Sequence, residues 1–412
     1  MQRKKLLIVG GGNLCLQILQ ILAPGNAFHF HVASRDAESA ARLCNLVRLG
    51  ALQLNANLSI RPWQMNLVEA QIEQNAEILS YIKPDIIVNC ASLQSWRVIT
   101  QLPKAAFNTL DQAQLGPWLP MHLAPAYALM RAVKQSGVKA MVVNMAFPDA
   151  VNTVLDKIGL APHVGAGNLA NLVPATRCAI AMLARCEPDA VRVKLIGQHF
   201  FSHFVPRGGL PAVANFHLRY WINGVESTGR FSAERIFASV STDFRRLGGV
   251  DGQFLTATSA VNVICGLHAL EETETHAPGP HGLPGGYPVR IGMGQIVLSL
   301  PHGITRAEAI STNQLCQRQD GIEMIHPDGS VSFGSEQMAV MESSLGFFMA
   351  KMQISEASDR AAELAAKYKA FADNLGKQGV TAHVVQSFRA SYGPGRSELR
   401  PSIPAGVRQP LG

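Results

Sequence analysis

Apolar residues in the first 150 positions fall into two rhythms. Four short, nearly continuous apolar runs stand out: KLLIV at 5–9, FHFHVA at 28–33, DIIVNC at 85–90 and AMVVN at 140–144. Their length and composition are those of strands buried on both faces of a parallel sheet. Between them apolar residues return at helical spacing: from Asn13 to Leu19, through the alanine-rich stretch after Asp36 to about Gly50, ahead of the Lys83-Pro84 turn, and from Leu119 to Gln135. The segment 93–115 has only weak periodicity. Strands alternating with helices predict a doubly wound α/β domain of Rossmann type over residues 1–150.

Beyond residue 150 the rhythm changes. A strand is expected at Val191–Ile196, a mixed polar stretch at 208–247 and an apolar helix at 252–270. The Gly/Pro/His-rich segment 275–288, THAPGPHGLPGGYP, is expected to be a loop, its His-rich part 276–281 a flexible connector rather than a metal tract. Residues 288–300 and 321–333 have the alternation of antiparallel strands, the second with an Asp-Gly turn. One helix is expected from Met338 to about Leu375. This is the pattern of an α+β domain over 151–387, followed by a polar, proline-rich tail at 388–412 expected to be flexible.

Composition narrows the function classes. With 47% hydrophobic residues in 412, the chain has material for two domains and a large core. The net charge of +7 comes from dispersed residues with no basic stripe, which argues against a nucleic-acid partner and suits an anionic ligand. No apolar run is long enough to cross a bilayer, so no membrane partner is expected and the expectation is a cytoplasmic protein. The seven cysteines have no CxxC or repeating spacing, which points to reduced thiols rather than disulfides or zinc ligands.

The candidate chemistry begins at the first strand's end. Gly10, Gly11, Gly12, Asn13 and Leu14 form a glycine turn leading into a helix, an arrangement that offers backbone N–H groups to a pyrophosphate. At the tip of the second strand stand Ser34 and Arg35, with the acid one step later at Asp36. That order favours the 2′-phosphate of NADP, with NAD as the alternative.

Further on, Asn144 ends a strand, a Pro-Asp pair opens a helix, and GAGNLANLVPATR at 165–177 follows. Then come KLIGQHFFSHFVPRGG at 194–209 and Thr258-Ser259 in an apolar stretch. In this order the segments resemble the lactate/malate dehydrogenase family. The resemblance implies an N-terminal Rossmann sheet with a C-terminal α+β substrate domain, a nicotinamide cofactor, a small-molecule substrate and a homodimer or homotetramer. It implies that His199 is the catalytic acid/base, that Asn144 orients nicotinamide and substrate, and that Arg177 and Thr258 lie on the substrate side. Arg97, after the third apolar run, falls where that family closes a lid arginine over its substrate. The positions of the family's catalytic aspartate and carboxylate-binding arginine read Asn171 and Pro174. Asn171 is therefore expected to orient His199 without stabilising its charge, and a simple 2-keto acid is a poor substrate.

The NAD-dependent family 4 glycosidases share this architecture and hold a metal through a cysteine and a histidine. Here that cysteine is missing, and His203 is expected on a strand or loop, where it does not share a face with His199. No metal site is expected. The expected activity is an NAD(P)-dependent oxidoreductase acting on a carbonyl, imine or secondary alcohol. A lyase or glycosidase using nicotinamide transiently, and a non-catalytic nucleotide-binding protein, are the alternatives.

Overall fold

All four apolar runs become strands of one parallel sheet. In the computed structural model, which describes residues 3–377, this sheet contains β1 (Lys4–Val9), β2 (Phe28–Ser34), β3 (Ile60–Gln64), β4 (Ile86–Asn89), β5 (Met141–Asn144) and β6 (Val164–Gly165). Their order is β3-β2-β1-β4-β5-β6, so the direction of winding reverses between β1 and β4. The sequence pattern misses β3 and β6. IRPWQ is a mostly exposed edge strand that tolerates Pro62, and β6 is only two residues long. The expected tail at 388–412 lies outside the described residues.

Six helices flank this sheet: α1 (Asn13–Leu22), α2 (Ala37–Gln53), α3 (Ile72–Ile82), α4 (Lys104–Asp111), α5 (Leu119–Ser136) and α6 (Pro148–Asp156). The two-residue period of β1 sorts its side chains between two cores. Leu6 and Ile8 pack with Ile18, Val32 and Val263, whereas Leu7 and Val9 pack with Leu79, Leu119 and Leu129.

The remainder is built on three small antiparallel sheets. The first follows α7 (Leu169–Ala184) and comprises β7 (Val191–Ile196), then, after α8 (His199–Gly208), β8 (His217–Ile222) and β9 (Val225–Glu226). Next come α9 (Ala233–Thr242) and α10 (Gln253–His268), then β10 (Thr273–Pro278), β11 (Gly286–Gly292) and β12 (Gln295–Leu298). Finally α11 (Arg306–Gln319) leads to β13 (Ile322–Ile325) and β14 (Val331–Phe333), then α12 (Ser335–Leu345), β15 (Lys351–Met352) and α13 (Ala357–Lys377).

Three expectations are corrected. Residues 199–208 form a helix, not a strand or loop: the Gln198 side chain accepts from the Phe200 amide at 2.9 Å, and Pro206 falls in the last turn, followed by two glycines. Residues 276–281 are no flexible connector. The segment 275–288 begins in β10 and ends in β11, and Gly279, Gly282 and Gly285 turn it tightly against its surroundings; a Cβ on Gly285 would lie 2.4 Å from Asn313 Cγ. The single helix expected from 338 to 375 is two, because Gly346 ends α12 in a left-handed conformation (φ 65°).

That break lets α13 return to the first sheet. Leu364 and Tyr368 join the core containing Trp118 and Leu119, and the Tyr368 hydroxyl donates to the Val98 carbonyl at 3.0 Å. Leu364→Ala should therefore cost about 2–5 kcal/mol in urea denaturation of the whole chain, as for a buried core leucine. A loss of less than about 0.5 kcal/mol, the range of surface substitutions, would show that α13 is not integrated.

Candidate active site

The glycine turn sits at the carboxyl ends of the parallel strands, beside the reversal between β1 and β4. Gly10 has φ 110° and donates to the Ala33 carbonyl at 2.8 Å; a Cβ there would lie 2.7 Å from the Ala91 amide nitrogen. Only glycine fits so close to the neighbouring strand's exit. At Gly12, by contrast, a Cβ would meet nothing within 4 Å, and no side chain caps α1, whose first turn carries no acidic residue. An open, uncapped helix start of this kind fits a dinucleotide's pyrophosphate. Cys15, at the third fingerprint position, is fully buried between helix and sheet. Asn13 donates to Gln253 Oε1 at 2.8 Å, tying α1 to α10, and Leu14 is partly buried.

At the tip of β2 the Ser34 hydroxyl accepts from the Asp36 amide at 3.3 Å, and Arg35 is exposed. Asp36 caps α2 by accepting from the Glu38 and Ser39 amides at 3.0 and 3.2 Å. Asp36 is thereby occupied with the helix.

At the start of α8, Nδ1 of His199 lies 3.0 Å from Oδ2 and 3.2 Å from Oδ1 of Asp320. Asp320 is 1% exposed, and it also accepts from Gln198 Nε2 at 3.2 Å and the Leu115 amide at 3.4 Å. A carboxylate on Nδ1 fixes the tautomer and leaves Nε2 for chemistry. Burial works against the charged imidazole. The attraction and hydrogen bond of Asp320, with Asp149 beyond, outweigh it and hold the His199 pKa above its ordinary value. The His199 side chain keeps 16% of its surface open.

Asp149 and Phe147 approach His199 from the start of α6. The Phe147 ring stands edge-on to the imidazole with centroids 5.5 Å apart. Asp149 is fully buried and accepts a hydrogen bond from the Asn168 amide. Burial pushes its carboxyl pKa up to about 6, against the opposing pull of His199 and Asn168. Phe147 (φ 45°) and Asn168 (φ 50°) both hold the left-handed backbone region without being glycine, strain that their contacts with His199 and Asp149 retain. His203 is one helical turn from His199, and the two rings stack at 5.5 Å. They share a face after all. Among the described residues, no group of three or more His, Cys, Asp or Glu is placed to hold a metal.

Other candidates are placed differently from expectation. Asn171 does not reach His199; its amide donates to the Thr256 hydroxyl at 3.0 Å, and Asp320 stands in the position expected of it. Asn144 is buried at the end of β5 with both donors and its acceptor used internally, by Asn89, Asn152 and the Ala146 backbone. Its side chain has no donor or acceptor left for nicotinamide. Arg177 donates to the Val191 and Pro188 carbonyls. With Thr258, which donates to the Leu255 carbonyl, it lines a cavity of about 530 Å3 between α7 and α10 that does not include His199. Arg97 lies in a short 3-10 segment, Trp96–Gln101; its side chain lies outside the described residues.

No protein-family model matches the sequence, and no curated protein matches it. Solved structures do. Malate dehydrogenase from Plasmodium falciparum matches with a TM-score of 0.52 at 14% identity, over 77% of this chain and 98% of that one. The same enzyme in complex with NADH gives 0.50 at 12%, over 77% and 97%. Malate dehydrogenase from Aeropyrum pernix gives 0.51 at 14%, over 76% and 97%. The chain has the fold of the malate and lactate dehydrogenases. On that malate dehydrogenase-like frame, Asp320 arrives 121 residues after His199, from the turn between α11 and β13. Its Asp-Gly setting reads as an ordinary helix-to-strand turn, and no local signal marks it. Asp149 was visible only as the acid of a helix start.

Gly116 holds the pair in register: its amide donates to the Asp320 carbonyl at 2.6 Å, and a Cβ there would lie 2.5 Å from that oxygen. Gly116→Ala should therefore shift Asp320 and lower the His199 pKa, as Asp320→Asn does directly, both read by NMR titration of the imidazole. Because the folded-state pKa of His199 is raised, the pair's stabilisation is complete below the ordinary histidine value of about 6.5. It is lost as pH rises through the raised value. Urea denaturation should show that slope in the native chain and a flatter one in Asp320→Asn; equal slopes would refute the ion pair.

Proposed function

We propose that this chain is a nicotinamide-dependent oxidoreductase acting on a carbonyl, imine or secondary alcohol other than a simple 2-keto acid. The observation that carries this reading is the buried His199–Asp320 pair, packed against Phe147 just past the carboxyl end of β5 in the parallel sheet whose β1 leads into the glycine turn. When bound, the nicotinamide supplies or accepts hydride. His199 Nε2 gives a proton to the substrate oxygen or nitrogen in the reducing direction and takes it back in the oxidising one. Asp320 stabilises the imidazolium and fixes its orientation, the task that Asn171 is not placed to perform. Phe147 packs against the imidazole and limits water at the reacting atoms.

Gly10, Gly12 and the amides at the start of α1, including that of Leu14, would hold the pyrophosphate. Ser34 and Arg35 favour NADP: Asp36 is committed to the helix cap, while the Arg35 guanidinium can pair with a 2′-phosphate. The NADH held by the Plasmodium falciparum malate dehydrogenase supports a nicotinamide here and leaves the preference to this tip.

In a spectrophotometric screen of carbonyls and imines with NADPH, His199→Gln should lower turnover roughly 10²–10⁴-fold and leave NADPH binding by fluorescence unchanged. Unaltered turnover would remove the acid/base role. Arg35→Glu should weaken NADPH by about tenfold or more and NADH little, since a charge-assisted contact contributes about 1.5–3 kcal/mol. Equal weakening of both cofactors would assign Arg35 elsewhere.

A further inference from the structure

The surroundings of His199 are unusual for a site that takes an anion. Two buried carboxylates flank it, and they differ in how fully they are used. Asp320 is engaged by His199, Gln198 and the Leu115 amide. Asp149 is not: Oδ2 accepts from Asn168, but Oδ1 is buried with no partner outside its own residue. A second buried group nearby is also unpartnered. Both ring nitrogens of His122 lack a hydrogen bond, and its ring stands 6.2 Å from the opposite partner of His199, Phe147. Buried polar atoms left in this state are costly unless a ligand meets them.

Among the described side chains, the arginine near the site is committed: Arg207 pairs with Asp111 at 3.0 Å and donates to the His203 carbonyl. The expected carboxylate-binding position is Pro174. A substrate carboxylate placed here would face Asp149 and Asp320 with no free arginine among the described side chains. An ammonium would find a carboxylate oxygen, a neutral imidazole and an aromatic ring. Burial and His199 together push the His122 pKa down to about 4, so that ring meets a ligand uncharged. A bound cation would draw Asp149 into its ionised form.

We propose that the substrate carries a protonated amine, seated against Asp149 Oδ1, His122 and Phe147 while His199 serves the reacting carbon's heteroatom. This rests on the oxidoreductase reading for the step at that carbon, but the amine seat itself is a matter of binding alone. The test uses three probes of one shape, benzylammonium, benzyl alcohol and benzoate, titrated into the full chain with and without NADPH and followed by saturation-transfer NMR.

Benzylammonium should bind the native protein about tenfold or more tighter than benzoate, and Asp149→Asn should remove that preference while leaving benzyl alcohol unchanged. The comparison within the native protein stands even if the variant folds poorly. Benzoate binding as well as benzylammonium, no binding by any probe, or a preference that survives in a folded Asp149→Asn would each overturn the proposal. An amine preference in a chain that binds no NADPH would instead sink the oxidoreductase reading and leave the amine seat in place. Absence of the preference in the native protein, with NADPH binding and His199-dependent turnover intact, would do the reverse.

Discussion

A carboxylate taken out of water must be held by charge or by hydrogen bonds, and Asp320 is held by His199, Gln198 and the Leu115 amide at once. Those partners lie at the end of β7 and in the loop before α5, so one side chain joins the sheet half of the molecule, the helix carrying His199 and the C-terminal elements. Everything proposed for the histidine follows from this. Burial alone would lower the imidazole's pKa; the carboxylate's attraction and hydrogen bond raise it instead and hold Nδ1 in one orientation.

Around this pair the fold keeps the frame of the malate and lactate dehydrogenases while changing what fills it. The parallel sheet with its reversal point is that of the frame. The acid that meets His199 comes from the turn between α11 and β13, not from Asn171 on α7, and the α7 position expected to bind a substrate carboxylate is Pro174. Asn144 illustrates the same change at closer range. It occupies the expected strand end, yet it is spent on a buried amide chain running from Asn89 through Asn152 to the Gly279 carbonyl.

What was legible in the sequence was whatever rested on local periodicity. The strands KLLIV, FHFHVA, DIIVNC and AMVVN, the glycine turn and the helix after it follow from apolar runs and backbone needs that a short window contains. The strand IRPWQ did not, because an edge strand exposed on most of its residues carries little apolar signal. The helical state of His199–Gly208 was hidden by its Pro-Arg-Gly-Gly end, which resembles a turn, and with it the stacking of His203 on His199. The His199–Asp320 pair was the least legible feature. A contact across 121 residues leaves no periodic trace, and an Asp-Gly at a helix end has an ordinary explanation.

The separation that hid Asp320 also has a kinetic meaning. Closing the Leu115–Asp320 contact joins residues 205 apart in the chain, and such closures carry a large entropic cost and are completed after local structure. The glycine turn and α1 need only local contacts and are expected to form first. His199 gains its carboxylate partner only when the last third of the chain has docked. The ion pair is thus a product of late closure, and a chain arrested partway through folding would have its glycine turn while His199 still lacked its carboxylate.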